Sequence, residues 1–196
     1  MRYLLFILLT GLFTDSFGQS KQDKEMIKQV DKFIADNYPS YAPGCAVLIA
    51  KKGEVLLEKG YGTTNIELNV PMQAGMVFRI GSITKQFTAV AILQLFEQGK
   101  IALTDSIQKF IKDFRFKGKT ITIENLLTHT SGIKGYEEID AKLPNPMRID
   151  FFPKTVIDSI DRLSLEFEPG TRYNYSNSNY FILGYIIEKV SGLSYP

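Results

Sequence analysis

The segment from Ser82 to Gln98 most constrains how this chain can fold. It contains no glycine or proline, and its apolar side chains would cover most of the circumference of a helix. A surface helix carries one apolar stripe, whereas a helix that is apolar nearly all round is typical of a protein interior. The pattern therefore predicts a long, buried central helix that ends at Gly99.

The residues before this segment predict a first helix and a β-hairpin. Apolar residues recur at helical spacing over 22–37, with lysine and aspartate between them. Two short apolar runs, 46–50 and 55–57, are separated by four residues that include Gly53. Glycine can adopt the backbone angles of a tight hairpin turn, so these runs predict two antiparallel strands. The run 77–81 also has the composition of a strand.

The rest of the chain predicts only helices, so the expected fold class is α/β (α+β): a helix and a hairpin of an antiparallel sheet, then an all-helical part. A two-stranded hairpin is marginal alone and needs further strands beside it. The chain ends four residues after Gly192 with no such strand, so we expect residues 19–196 to be an incomplete, truncated domain. The predicted helices cover 104–112, 123–129 (with Thr122 as N-cap), 154–163 and 180–190, with a proline-rich stretch at 143–147.

Residues 1–18 have the pattern of a signal peptide. Arg2 gives a short positive region, an apolar stretch follows from Tyr3 to Phe13, and small residues at Ser16 and Gly18 suit a cleavage site. This stretch is too short to span a bilayer, although a membrane anchor or a buried helix was the alternative. We therefore expect a periplasmic or secreted protein with no stable membrane span after cleavage.

Net charge and the content of cysteine and histidine limit which partners and metal ions the chain is expected to bind. The formal net charge is +2, and removing residues 1–18 leaves it unchanged, which favours neither nucleic acid nor an anionic membrane surface. The single cysteine, Cys45, cannot form an internal disulfide and is predicted to be a buried thiol in an apolar run. The single histidine, His129, has no well-placed acidic partner and is predicted to be structural. One histidine and one cysteine predict no zinc site, and we expect no cofactor.

Three Ser-x-x-Lys matches offer candidate nucleophiles. At this spacing on a helix the two side chains share a face, so an uncharged lysine amine can accept the serine proton. The pattern alone is weak, and context separates the three. Only Ser82 opens a long apolar helix, where the helix dipole favours developing negative charge. The alternative is that Ser82 is only an N-cap and Lys85 reaches solvent. The matches are Ser82–Lys85, Ser106–Lys109 and Ser131–Lys134.

Three longer stretches resemble the serine β-lactamases and penicillin-binding proteins, in the branch similar to class C β-lactamases and D-alanyl-D-alanine carboxypeptidases. They occur in the family's order and spacing, and the resemblance extends from about residue 25 to the last residue. They are Phe78-Arg-Ile-Gly-Ser-Ile-Thr-Lys-Gln-Phe-Thr88, Ile121-Thr-Ile-Glu-Asn-Leu-Leu-Thr-His-Thr-Ser-Gly132 and Phe167-Glu-Pro-Gly-Thr-Arg-Tyr-Asn-Tyr-Ser-Asn177.

This resemblance implies a β-lactamase/transpeptidase-like fold and a set of site residues. Ser82 would be the nucleophile and Lys85 its activating partner. Tyr175 and Asn177 would be the family's Tyr-x-Asn pair, the tyrosine moving protons with Lys85 and the asparagine binding the substrate's amide side chain. The implied activity is that of a serine acyl hydrolase acting on a β-lactam, a D-alanyl peptide or an ester.

One family motif has no counterpart here. The family's Lys- or His-Thr/Ser-Gly strand borders the active site and supplies a second oxyanion-hole N–H. Losing one such donor lowers a rate by roughly 10²–10³. Two alternatives to an active enzyme therefore stay open: a non-catalytic relative that binds cell-wall peptide, and a gene fragment without a stable fold. The sequence does not indicate an oligomeric state.

Overall fold

The computed structural model describes residues 20–114, 116–138 and 152–195. The predicted signal peptide and the proline-rich stretch 143–147 lie outside these residues. The chain divides into two compact units, residues 1–79 and 80–196. The first contains a helix and β-strands, and the second is helical, which confirms the predicted fold class.

The first unit contains one helix and a hairpin. Helix α1 (Lys21–Asn37) begins at Ser20, whose side chain accepts a hydrogen bond from the Asp23 N–H. Strands β1 (Cys45–Lys51) and β2 (Glu54–Tyr61) pair antiparallel. The two residues between them, Lys52 and Gly53, both have positive φ, which is the conformation of a type I′ hairpin turn.

Polar contacts attach α1 to the hairpin. The Lys59 Nζ and the Tyr61 hydroxyl each donate to Asp31 Oδ1 over 2.7 Å. Lys51 Nζ pairs in the same way with Asp23. Both lysines of these ion pairs are largely exposed, so the pairs contribute little to stability.

Three expectations for residues 45–81 were wrong. Strands β3 (Thr63–Asn65) and β4 (Val70–Pro71) form a second small antiparallel pair in a stretch where no strand was predicted. The run 77–81, which has the composition of a strand, is irregular over 77–80 and enters a 3₁₀ turn at Gly81, because it has no neighbouring strand in the described residues to share a hydrogen-bond ladder. Cys45 lies on β1 and is half-buried rather than buried.

The helical unit holds the apolar core. Its longer helices are α2 (Thr84–Glu97), α4 (Pro153–Asp161) and α5 (Asn177–Ser191), and a short α3 spans Ile123–Leu127. Helix α5 packs against α2, α3 and α4. The fully buried large side chains at its centre are Ile92, Ile107, Ile121, Ile123, Leu126, Ile133, Ile157, Ile160, Ile182, Leu183 and Ile186.

Helix α2 is only partly buried, so the predicted burial on all sides was wrong. Thr88, Ile92 and Leu95 are buried, on the face that packs against α5. Phe87 and Val90 on another face are 62% and 54% exposed. An apolar pattern shows which side chains avoid water but does not show which neighbours cover each face.

The prediction for residues 104–112 was also wrong in type. Only a 3₁₀ turn, Ile107–Lys109, forms there. The Ile107 N–H donates to the Ile121 carbonyl, and Ser106 forms a β-bridge with Thr122. Because these backbone groups bond across to another segment, they are not available for a continuous α-helical ladder.

Candidate active site

Ser82 and Lys85 lie at the start of α2. A 3₁₀ turn, Gly81–Ile83, contains Ser82 and leads directly into the helix. Lys85 is the second residue of α2, one turn after the serine. Its Nζ donates to Ser82 Oγ over 3.2 Å. Ser82 is therefore inside the first turn rather than an N-cap, and Lys85 is half-buried beside it.

Tyr175 and Asn177 lie at the start of α5. Asn177 is its first residue, so this helix begins earlier than the predicted Tyr180. The preceding backbone is attached to His129, because the Asn174 N–H donates to the His129 carbonyl over 2.9 Å. The Ser176 N–H donates to His129 Nδ1 over 3.1 Å. These bonds fix the residues on both sides of Tyr175.

The packing of α2 against α5 brings the four side chains into one hydrogen-bonded network. Ser82 Oγ lies 2.6 Å from the Tyr175 hydroxyl oxygen. Lys85 Nζ donates to Asn177 Oδ1 over 2.6 Å, in addition to its bond to Ser82. Two residue pairs separated by about ninety positions in sequence therefore meet within hydrogen-bonding distance, as a serine nucleophile with an adjacent base requires.

The electrostatics of the network act on the Tyr175 phenol. Burial is the largest single influence and raises the pKa of Tyr175. Hydrogen-bond donation from Lys85 and Ser82, together with the Lys85 charge, outweighs burial, so the pKa of Tyr175 lies below its ordinary value of 10.0. The ammonium lies 4.8 Å from the centre of the Tyr175 ring. This neighbourhood favours the phenolate, which is the form that accepts a proton.

His129 packs against the aromatic side chains of the site and bonds to the backbone beside Tyr175. It is buried, it has a φ of 57°, and its ring lies 4.6 Å from the Tyr175 ring and 5.1 Å from the Tyr180 ring. Burial first, and the charge of Lys85 second, lower the pKa of His129. Because Nδ1 accepts the Ser176 N–H, this histidine is a neutral, structural group that holds the Tyr175 loop.

The other two Ser-x-x-Lys pairs form no comparable network. Ser106 caps the turn Ile107–Lys109, and Lys109 pairs with Asp105 at 2.7 Å. Ser131 is buried, and its hydroxyl donates to Asn179 Oδ1 over 2.6 Å. Both serines therefore serve local structure.

Glu137 is a site residue that sequence reasoning missed. It lies in the 3₁₀ turn Tyr136–Glu138, and its Oε1 accepts a hydrogen bond from Asn177 Nδ2. No sequence signal distinguished this exposed glutamate from its neighbour Glu138. A small cavity of about 170 Å³ opens beside the network, with Lys85 and Asn177 in its lining. Within the described ranges, no three His, Cys, Asp or Glu side chains cluster as metal ligands.

A serine hydroxyl bonded to both a lysine amine and a phenol is the arrangement of an activated serine nucleophile. Comparison with known proteins agrees, since the beta-lactamase family model matches residues 31–196. The chain belongs to the beta-lactamase family.

Individual relatives show how much of a family member's length this chain covers. Protein flp of Staphylococcus aureus (strain N315) is 35% identical over 174 residues, covering 86% of this chain and 34% of flp. An octameric penicillin-binding protein homologue from Pyrococcus abyssi has 35% identity and a TM-score of 0.67. The match covers 90% of this chain and 40% of the Pyrococcus chain. A D-stereospecific amidohydrolase from Streptomyces sp. has 27% identity and a TM-score of 0.67, covering 90% and 51%. The chain thus spans about a third to a half of these relatives' length.

Proposed function

We propose that this chain carries the nucleophile-bearing part of an exported serine acyl hydrolase, which forms an acyl-enzyme on Ser82. The observation that supports the proposal is the position of Ser82 Oγ, 2.6 Å from the Tyr175 hydroxyl and 3.2 Å from Lys85 Nζ. No other serine of the described residues combines these two partners at the start of a long helix.

In the acylation step, Ser82 Oγ attacks the carbonyl carbon of an amide or ester. Its proton passes to the Tyr175 oxygen, whose phenolate is stabilised by the neighbouring Lys85 ammonium. The bond from the carbonyl carbon to the leaving nitrogen or oxygen then breaks, and the leaving group takes the proton from Tyr175. The acyl group stays on Ser82 as an ester.

In the deacylation step, water replaces the leaving group. Tyr175 takes a proton from the water, whose oxygen attacks the acyl-enzyme carbonyl. The ester bond to Ser82 breaks, Ser82 Oγ recovers a proton from Tyr175, and a carboxylic acid departs. Asn177, held by Lys85 through its Oδ1, presents the amide N–H that does not bond to Glu137 to the amide side chain of the substrate.

The substrate is proposed to be a small molecule or a peptide: a β-lactam, a D-alanyl peptide or an ester. The name of the Streptomyces relative, a D-stereospecific amidohydrolase, favours a D-configured acyl donor among these. The class C-like branch stays a prediction from the sequence motifs.

Export to the periplasm or the exterior is proposed from the pattern of residues 1–18. Across the part of the chain that the structure describes, no helix combines the length and apolarity needed to cross a bilayer. Fractionation of cells that express the intact gene, with N-terminal sequencing of the product, tests this proposal. Mature protein that begins near Gln19 in the exported fraction would support it, and an unprocessed intracellular product would refute it.

Covalent labelling tests the catalytic proposal. The full-length gene product would be treated with benzylpenicillin or a fluorophosphonate and analysed by peptide mass spectrometry. We expect an adduct on Ser82 that the Ser82→Ala substitution abolishes. Ser106→Ala is a matched control, since it removes the serine of a second Ser-x-x-Lys pair outside the site, and should leave labelling intact.

Two results would overturn the proposal. An adduct that persists in Ser82→Ala would show that another residue is the nucleophile. Binding of peptidoglycan fragments without any covalent labelling would instead indicate a non-catalytic, peptide-binding relative.

A further inference from the structure

The Asn177 side chain bridges a cation and an anion. Its Oδ1 accepts from Lys85 Nζ over 2.6 Å, and its Nδ2 donates to Glu137 Oε1. A carboxylate therefore lies beside the amide that is proposed to bind the substrate. Neither acylation nor deacylation uses this carboxylate, so its position requires a separate explanation.

The Glu137 carboxylate bonds to Asn177 and occupies space beside Gly135. One oxygen accepts from Asn177, and a Cβ added to Gly135 would collide with the other, Oε2. Gly135 does not have a positive φ, so what this glycine provides is space for the carboxylate. Glu137 is also exposed, which leaves its carboxylate accessible to a molecule that approaches the network.

The charge of Glu137 is felt within the network. It acts to raise the pKa of Tyr175, opposing the effect of Lys85. A carboxylate only accepts hydrogen bonds when ionised, and its strongest partners are cationic donors. A substrate that bonds to Asn177 would thus place a neighbouring substituent next to the negative charge of Glu137.

We propose that Glu137 is a specificity-determining residue that selects substrates with a positively charged group, such as a free ammonium, next to the acyl carbonyl. This inference rests on the proposed function, because it describes how the same site chooses its substrate. Asn177 and Gly135 place the carboxylate, and the ammonium of the substrate pairs with it while the carbonyl faces Ser82.

The test compares, in the full-length protein, two substrates that differ at one substituent, which is charged in one and neutral in the other. D-alanine p-nitroanilide carries an ammonium at neutral pH, since α-amino groups have a pKa of about 8. D-lactic acid p-nitroanilide carries a hydroxyl at the same position. The measured quantity is the ratio of kcat/KM for the ammonium substrate to that for the hydroxyl substrate. We expect the ratio to exceed one and to fall as salt is added, because salt screens exposed charges.

Two variants test the residue. Glu137→Gln removes the charge and nearly keeps the shape, and should reduce the ratio up to about fivefold, the range of an exposed ion pair. Gly135→Ala keeps the charge but displaces it, and should reduce the ratio as well. Glu97→Gln is the control, because Glu97 lies about 18 Å along α2 from Lys85, beyond the screening length.

The outcomes separate this inference from the proposed function. If Ser82 is labelled and both substrates are hydrolysed, but Glu137→Gln leaves the ratio unchanged, the role of Glu137 is refuted and the hydrolase stands. An equal loss for both substrates would make Glu137 a positioning residue for Asn177 and would also refute selection by charge. If Ser82 is never acylated, both proposals fail together.

Discussion

At the residue scale, the proton transfer that we propose depends on Tyr175. Its phenol contacts Ser82 Oγ directly, and the charge of Lys85 lies against its ring. A phenol far from any cation is protonated at neutral pH and is a poor base. The lowered pKa of Tyr175 is therefore the property that makes the serine reactive in our proposal.

Replacing Tyr175 by phenylalanine tests this role. We expect kcat/KM to fall by about 10²–10⁴, the usual contribution of a positioned general base. The acid limb of the pH profile should also disappear, because activity in the wild type requires the deprotonated phenol and is lost as pH falls through its pKa. Steady-state kinetics across pH measure both effects. Tyr173→Phe is the control, since Tyr173 is 68% exposed on the same loop.

A wild-type pH profile in Tyr175→Phe, even at reduced rate, would contradict the assignment. The acid limb would then belong to another group of the site.

Sequence motifs predicted four of the five residues of this network but not the fifth. Ser82, Lys85, Tyr175 and Asn177 lie in stretches whose order and spacing resemble a known family. Glu137 lies in a short turn with no such pattern, and only the folded arrangement shows that its carboxylate meets Asn177. Motifs report residues that a reaction always needs, whereas a contact between side chains depends on how the elements pack.

At the scale of the element, the start of α3 was predicted correctly, whereas the two shortest strands were not. Thr122 was expected to cap α3, and it does so through a capping box: its Oγ1 accepts from the Asn125 N–H over 3.1 Å, and Asn125 Oδ1 accepts from the Thr122 N–H over 3.1 Å. A cap depends on local residues only. The small strands β3 and β4 were missed because pairing of such short segments depends on tertiary neighbours.

Removing the Thr122 cap should destabilise the helical unit. Thr122→Ala leaves the Asn125 N–H without its side-chain acceptor, and we expect the free energy of unfolding to fall by about 1 kcal/mol. Thr122→Ser keeps the hydroxyl and serves as the matched control. Urea unfolding monitored by circular dichroism measures the difference. Equal stability of the alanine and serine variants would show that the cap contributes nothing.

At the scale of the whole molecule, the apolar core belongs to the helical unit. The cluster of buried hydrophobic side chains runs from Ile92 to Ile186. Sequence reasoning predicted the division into a helix with a hairpin and a helical part, because periodicity distinguishes helices from strands. It could not predict which faces of α2 are covered, since an apolar side chain carries no information about its partner.

The pH dependence of global stability should reflect His129, the only histidine of the chain. The pKa of His129 is lowered from 6.5 in the folded protein. Around and below pH 6.5 the unfolded chain therefore binds a proton at this histidine more readily than the folded protein does. The free energy of unfolding should therefore fall as pH drops through about 6.5, by at most about 1.4 kcal/mol per pH unit.

Urea unfolding at a series of pH values between about 5 and 8 measures this slope, because that range includes the ordinary pKa of a histidine side chain. His129→Asn is the comparison, since asparagine tolerates the positive φ of 57° at this position. We expect the variant to be less stable but with a flatter pH dependence. An unchanged slope would assign the effect to other groups.

The acyl-transfer groups and the proposed selecting carboxylate come from different pieces of the chain. Ser82, Lys85 and Asn177 belong to the starts of two packed helices, whereas Glu137 sits on a single 3₁₀ turn. Substitutions in that turn, whether natural or made in the laboratory, would thus change the substrate specificity. The residues that carry out acyl transfer would stay unchanged, because none of them lies in the turn.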